Sequence, residues 1–237
     1  MIRRENVIKR FIMGMSVLTA YIYYTGNLNM HDINISAEQF MCDLLNILYN
    51  MDLKNANNVT YNNSGYDLIS ENKKIIIQVT VTDTPEKIIR TLNTIKHKVF
   101  EYSEWTEKLR EIRVQKKLDP STYTSKVQDD EKKIRSKLAE NVNLNDYTLY
   151  FMVMKQDATM QRKYKGENNQ GYVCIDEVNF DKKNIWDFST LINKVNSISE
   201  ISSNGEDDLL TEINHFMDKN INVFGMLSEH GNSPVSY

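Results

Sequence analysis

Ser64-Gly65-Tyr66-Asp67-Leu68 leads, after a few polar residues, into Lys73-Lys74-Ile75-Ile76-Ile77-Gln78-Val79-Thr80-Val81-Thr82. The pattern predicts a short strand, a polar turn and a second, strongly apolar strand. Side chains alternate along a strand, so Gln78, Thr80 and Thr82 share one face. Ile75, Ile77, Val79 and Val81 share the other, which is expected to be the better buried. A turn of about four residues, Glu71–Lys74, places Asp67 opposite Gln78.

The neighbouring elements follow from capping and periodicity. Residues 3–24 read as a helix ended by Gly26 and Asn27. Ser36, with Gln39 three residues on, reads as the capping box of a helix over 36–50, with Glu38 in its first turn. The Asn-rich segment 52–65 has turn character, with a short strand near 59–61. Asp83-Thr84-Pro85-Glu86 starts another helix. Tyr147–Met154 is an apolar run of strand length that suits a central strand, and Tyr172–Ile175 suits another. Residues 186–198 and 206–219 read as closing helices, the second with Glu206, Asp207 and Asp208 at its start. Strands linked through a helix imply an α/β fold of the α+β kind: a mixed central sheet flanked by helices. The whole chain, 1–237, reads as a single domain.

Composition narrows the function. The chain has 237 residues, 41% of them hydrophobic, so a sizeable core can form. A net charge of −3 argues against coating nucleic acid by bulk charge. Basic residues gather locally instead, in a charged helical insertion over about 100–143 that Pro120 divides. Arg110, Arg113, Lys116 and Lys117 stand there. Two readings of this insertion stay open: a solvated helical arm, or an arm that grips phosphates together with Arg3 and Arg4. Cys42 and Cys174 lie far apart with no CxxC, which suits small buried residues and a reducing cytoplasm. Arg3, Arg4, Lys9 and Arg10 precede an apolar run from Phe11 to Tyr24, but its polar and aromatic residues suit a helix buried along much of its surface better than an export signal. No membrane association is expected.

On the hairpin, the polar atoms of Asp67, Gln78 and Thr80 are expected to converge, with Glu38 above them. Such a group suits Mg²⁺ (or Mn²⁺), which takes oxygen ligands and needs only one or two protein carboxylates. Asp67 would bind directly, joined by the Gln78 amide oxygen, the backbone carbonyl of Val79, and Glu38. The ion would polarise a phosphate and acidify a water. The plainer alternative is that Asp67 caps a turn and the Gln/Thr face is solvated.

Gly65-Tyr66-Asp67 followed by Ile77-Gln78-Val79-Thr80 resembles the PD-(D/E)xK superfamily of restriction-endonuclease-like nucleases. Ala37-Glu38-Gln39-Phe40, Asp43–Tyr49, the same hairpin, and Lys87 with Thr91-Leu92 are together similar to bacterial SMEK-domain proteins. The resemblance covers about residues 1–100, with a weaker match at Phe180–Val195. It implies that Glu38 is the acid of the first core helix, Asp67 the metal-binding aspartate and Gln78 the (D/E) position. Thr80 falls where the catalytic lysine belongs, and a threonine supplies no positive charge. Lys87, one turn into the next helix, is the residue to which that role would pass.

The implied function is metal-dependent cleavage of nucleic acid, DNA before RNA, in bacterial defence against phage, with a defence-system partner protein and a homo-oligomer as expected partners. The alternatives are a catalytically inactive relative that binds nucleic acid or protein as a sensor or adaptor, and an interaction module assembled through its charged helices.

Overall fold

A computed structural model describes residues 4–26, 31–58, 65–155, 158, 178–198 and 206–229. Six helices accompany a five-stranded mixed sheet in these residues. The helices are α1 (Arg4–Gly26), α2 (His31–Tyr49), α3 (Pro85–Leu118), α4 (Ser125–Glu140), α5 (Phe188–Ser197) and α6 (Glu206–Glu229). The strands are β1 (Lys54–Asn55), β2 (Leu68–Ser70), β3 (Ile75–Thr80), β4 (Thr148–Val153) and β5 (Ile185–Asp187), in that spatial order.

The hairpin forms in the expected register. Leu68 pairs with Ile77 and Ser70 with Ile75 across the turn. β1 continues the antiparallel part, whereas β3–β4 and β4–β5 are parallel. Parallel neighbours need a crossover, and between β3 and β4 that crossover is α3 and α4. β3 is therefore the middle strand, and it is covered on both sides. Leu68, Ile77, Val79 and Met152 enter one core with α1, α2, α5 and α6. Ile69, Ile76, Leu149, Phe151 and Val153 enter a second core with Ile88, Leu92, Ile95 and Val99 of α3.

This corrects the expectation of one buried aliphatic face and one lesser face. Gln78 and Thr80 are each 7% exposed, whereas Val81, just past the strand, is 42% exposed. Burial on both faces is the usual condition of strands in the parallel part of a sheet. The Gln/Thr face is thus not solvated.

α3 begins as its sequence predicts, with Thr84 at the cap, Pro85 in the first turn and Glu86 behind it. Its 34 residues extend about 51 Å at 1.5 Å per residue. Ile88, Leu92, Ile95 and Val99 bury its first half, and beyond them only Leu109 is buried. Removing a core side chain such as Ile95 in that half would cost about 2–5 kcal/mol. The second half leaves the sheet, turns at Pro120–Thr122 and returns as α4. The expected charged helical insertion is this hairpin of helices.

Several boundaries differ from the sequence reading. α2 starts at His31, so Ser36 lies inside the helix rather than at its N-cap; the amide of Gln39 donates forward to Asp43, 2.8 Å away. Residues 185–187 form β5 where a helix was expected from 186. Asp187 ends that strand and starts α5, its carboxylate accepting from the backbone of Thr190 in a capping box. α6 runs on to Glu229. The strands expected at 59–61 and 172–175, and Cys174, lie outside the described residues.

α1 buries one stripe, Val7, Phe11, Met15, Leu18 and Ile22, while Met13 is 58% exposed. It is amphipathic rather than buried along most of its surface. Its Arg10 reaches Asp218 of α6 at 2.6 Å. Cys42 is buried and donates to the Leu53 carbonyl. Among the described residues, no helix is long and apolar enough to cross a membrane.

Candidate active site at the end of the central strand

Asp67 is fixed by its own backbone. Its N–H donates to the Ile77 carbonyl at 2.9 Å, and its carbonyl accepts from Ala56 N–H at 2.8 Å. Gly65, two residues earlier, has φ +99°, a region open chiefly to glycine. A Cβ there would also approach Thr94 and Ile95 of α3 at 3.2 and 3.3 Å. Gly65 thus lets the chain pass close under α3 before delivering Asp67 to the sheet.

The Asp67 side chain extends the β-ladder. Its Oδ2 accepts from Val79 N–H at 2.8 Å and from the Gln78 amide. The same Gln78 nitrogen donates to the Val79 carbonyl at 3.1 Å. Two acceptors, a carboxylate oxygen and a backbone carbonyl, therefore converge on one point that an amide NH₂ fills. A cleft of about 190 Å³ opens beside them, lined by Glu38, Asp67, Gln78, Val79, Thr80, Val81 and Met154.

Glu38 faces this cleft from α2, two turns into the helix rather than in its first turn. Its Oε2 accepts from the Asn57 amide at 2.8 Å. Burial pushes the Glu38 carboxyl above its ordinary value, partly offset by the side chains of Asn57 and Asn55. Asp67 is pushed up to about 7, first by burial and then by the charge of Glu38; Val79 N–H and Lys87 pull the other way. Two carboxylates share a poorly solvated space, and the charge of Glu38 raises the cost of ionising Asp67.

Lys87, in the first turn of α3, supplies the nearby positive charge. Burial pulls its ammonium down, Asp67 holds it up, and Arg90 pulls it down again. Thr80 is different. Its hydroxyl accepts from Thr82 N–H at 3.0 Å and closes the turn that ends β3. It serves the strand end and carries no charge into the cleft.

The chain thus brings together Glu38, Asp67, Gln78, Val79 and Thr80 in one cleft, with Lys87 beside it. This donor set fits a hard cation such as Mg²⁺: two carboxylates, one amide and one carbonyl, with room for water. To offer oxygen, the Gln78 amide would turn over. Among the described residues there is no cluster of three or more His, Cys, Asp or Glu side chains able to hold a metal, so the cation would rest on the mixed set alone.

The basic residues singled out in the sequence are not gathered here. Arg3 lies outside the described residues. Arg4 donates to Asn196 of α5 at 3.0 Å. Arg110 pairs with Glu107 at 3.6 Å, and Lys116 sits 3.8 Å above the ring of Tyr123. Arg113 and Lys117 are exposed on α3. At the helical rise, these positions of α3 lie roughly 35–45 Å along the axis from Lys87.

Sequence reasoning missed Asn55, Asn57 and Arg90. The first two sit in a stretch that reads only as turn, and Arg90 is one cation among many. The signal for Arg90 was its place one turn after Lys87.

The profile of one family, the SMEK domain, matches residues 10–142, from within α1 through α4, and so takes in Glu38, the hairpin and Lys87. No curated protein and no solved structure matches the chain.

Proposed function

The chain belongs to the SMEK-domain family, and from that footing we propose that it is a metal-dependent nuclease of the PD-(D/E)xK type. The observation that carries the reading is the meeting of Asp67 Oδ2, the Gln78 amide and the Val79 carbonyl at one point of a cleft that Glu38 also lines. A bound Mg²⁺ or Mn²⁺ would polarise the scissile phosphate and lower the pKa of the attacking water.

The chain's own residues would do the rest. Asp67, Gln78 Oε1, the Val79 carbonyl and Glu38 hold the cation. Asn57 fixes one Glu38 oxygen, so that carboxylate is already oriented. Lys87 keeps positive charge beside Asp67, where it can oppose the charge that builds on the phosphate. Its approach from α3 takes over what the strand position at Thr80 cannot supply, since that hydroxyl is committed to the Thr82 backbone.

The test is cleavage of plasmid and labelled oligonucleotides, DNA and RNA, with Mg²⁺ and with Mn²⁺. Asp67→Ala should abolish it. No cleavage by well-folded protein with either metal would end this reading. It would favour a second one, a nucleic-acid-binding relative without hydrolysis, which the uncharged Thr80 and the inward Gln78 NH₂ support. That protein would keep salt-sensitive binding after Asp67→Ala.

A further inference from the structure

Lys87 is not the last cation on its side of α3. Arg90 is exposed one turn further on, and its charge is felt at Lys87. Beside it a groove of about 760 Å³ runs along the helix. Arg90, Thr94, His97 and Glu101 line it at spacings of four, three and four residues, which is one continuous face of a helix. Asn93 adds a neutral amide on the same side, and Asn141 another from just beyond α4.

The inner wall of this groove is tied to the catalytic hairpin. Lys98 lines the groove, and its Nζ lies 5.1 Å over the ring of Tyr66, the residue preceding Asp67. Arg90 and Lys98 stand in the groove with two carboxylates, Glu86 and Glu101. Glu101 lies 3.1 Å from His97, and Glu86 is in the first turn of the helix. Arg90 and Lys98, with the amides and the hydroxyl beside them, are groups of the kind that position a phosphodiester backbone without reading bases.

We propose that this groove is the track for the nucleic-acid strand on one side of the scissile phosphate. The backbone leaves the Asp67 cleft past Lys87, sets its next phosphate on Arg90, and continues toward His97 and Lys98. From Lys87 to Lys98 the helix rises about 16 Å. The inference rests on the nuclease reading for its direction. It names the part of the substrate that the long arm, further out on the same helix, does not hold.

Binding without metal separates this proposal from the chemistry. Fluorescence anisotropy of a labelled 20-mer DNA, as single strand and as duplex, would be followed in EDTA over 50–200 mM KCl. Arg90→Ala should weaken binding several-fold and reduce the slope of log K against log[salt] by about one. Arg113→Ala on the distal arm should change neither. Wild-type slope in Arg90→Ala, loss of slope in Arg113→Ala instead, or no salt-dependent binding by the wild type would each overturn the track. Mg²⁺-dependent cleavage by wild type, lost in Asp67→Ala, decides the nuclease reading on its own.

Discussion

The two halves of α3 treat charge in opposite ways. The first half packs against the sheet, and Lys87 lies partly buried beside Asp67. The second half carries its charges at the surface, where Arg110 meets Glu107 and Lys116 lies over the ring of Tyr123. Exposed pairs of this kind are worth about 0–1 kcal/mol and are screened by salt. A few charges where solvent is excluded reshape one another's ionisation far more than a dense but wet array does. Counting lysines and arginines therefore points to the wrong half of the helix.

The sharpest way to break this contrast is Asp67→Ala against Arg113→Ala. The first should reduce cleavage by at least about 10³-fold, since a directly binding carboxylate and its orientation of Gln78 are both lost. The second should leave cleavage unchanged. Initial rates on a labelled oligonucleotide with Mg²⁺, beside thermal melts of both variants, check the pair. Equal losses in the two would erase the distinction.

pH comes next. The folded-state pKa of Asp67 is raised to about 7 from an ordinary 3.8. The folded chain then binds the proton more tightly than the unfolded chain. This contribution is fully present below pH ~4 and is lost as pH rises toward 7. About three pKa units correspond to at most roughly 4 kcal/mol. Urea unfolding from pH 4 to 8 should show stability falling over that window, and Asp67→Asn should flatten the fall. Glu38→Gln should move it to lower pH, because one cause of the shift is removed. A stability curve rising over the same window would contradict the buried pair.

Lys87→Ala follows in size. Removing one positive group opposed to developing phosphate charge should lower kcat by about 10²-fold, or about 2.7 kcal/mol, with Kd for the strand less affected. Rates under saturating substrate separate the two. Lys117→Ala is the matched arm control, with kcat retained.

Much of the site was legible because it is local. A hairpin register follows from alternation and a four-residue turn, and it alone places Asp67 against Gln78. Thr84-Pro85-Glu86 fixes the start of α3 and so the position of Lys87. What failed was non-local. Whether the Gln78 face was buried depended on β4 pairing in parallel with β3 and on α3 covering both, some 70 residues of chain. Ser36 looked like a cap because its neighbours fit a capping box, while the helix had begun at His31. The Asn55–Asn57 support for Glu38 left no pattern, because one asparagine that holds a carboxylate looks like any turn asparagine. β5 was hidden because three residues carry too little periodicity, and the last of them, Asp187, carries the capping box of α5.

The smallest effect tests whether the arm is only a scaffold. Its far end is closed by Tyr123, whose hydroxyl donates to Glu131 Oε2 at 2.6 Å while Arg135 holds the other oxygen. Those two contacts keep the Glu131 carboxyl below its usual value. Tyr123→Phe deletes one donor and leaves the ring under Lys116, so stability should fall by about 1 kcal/mol, the ordinary net worth of one hydrogen bond. Cleavage and the salt slope of binding should stay at wild-type values, because the lock lies at the end of α3 remote from Lys87. A melt shifted down with unchanged kinetics is the expected result. A change in kcat would mean that the distal end of α3 communicates with its first turn. The helix would then be a lever between the two regions rather than a boundary between two kinds of charge.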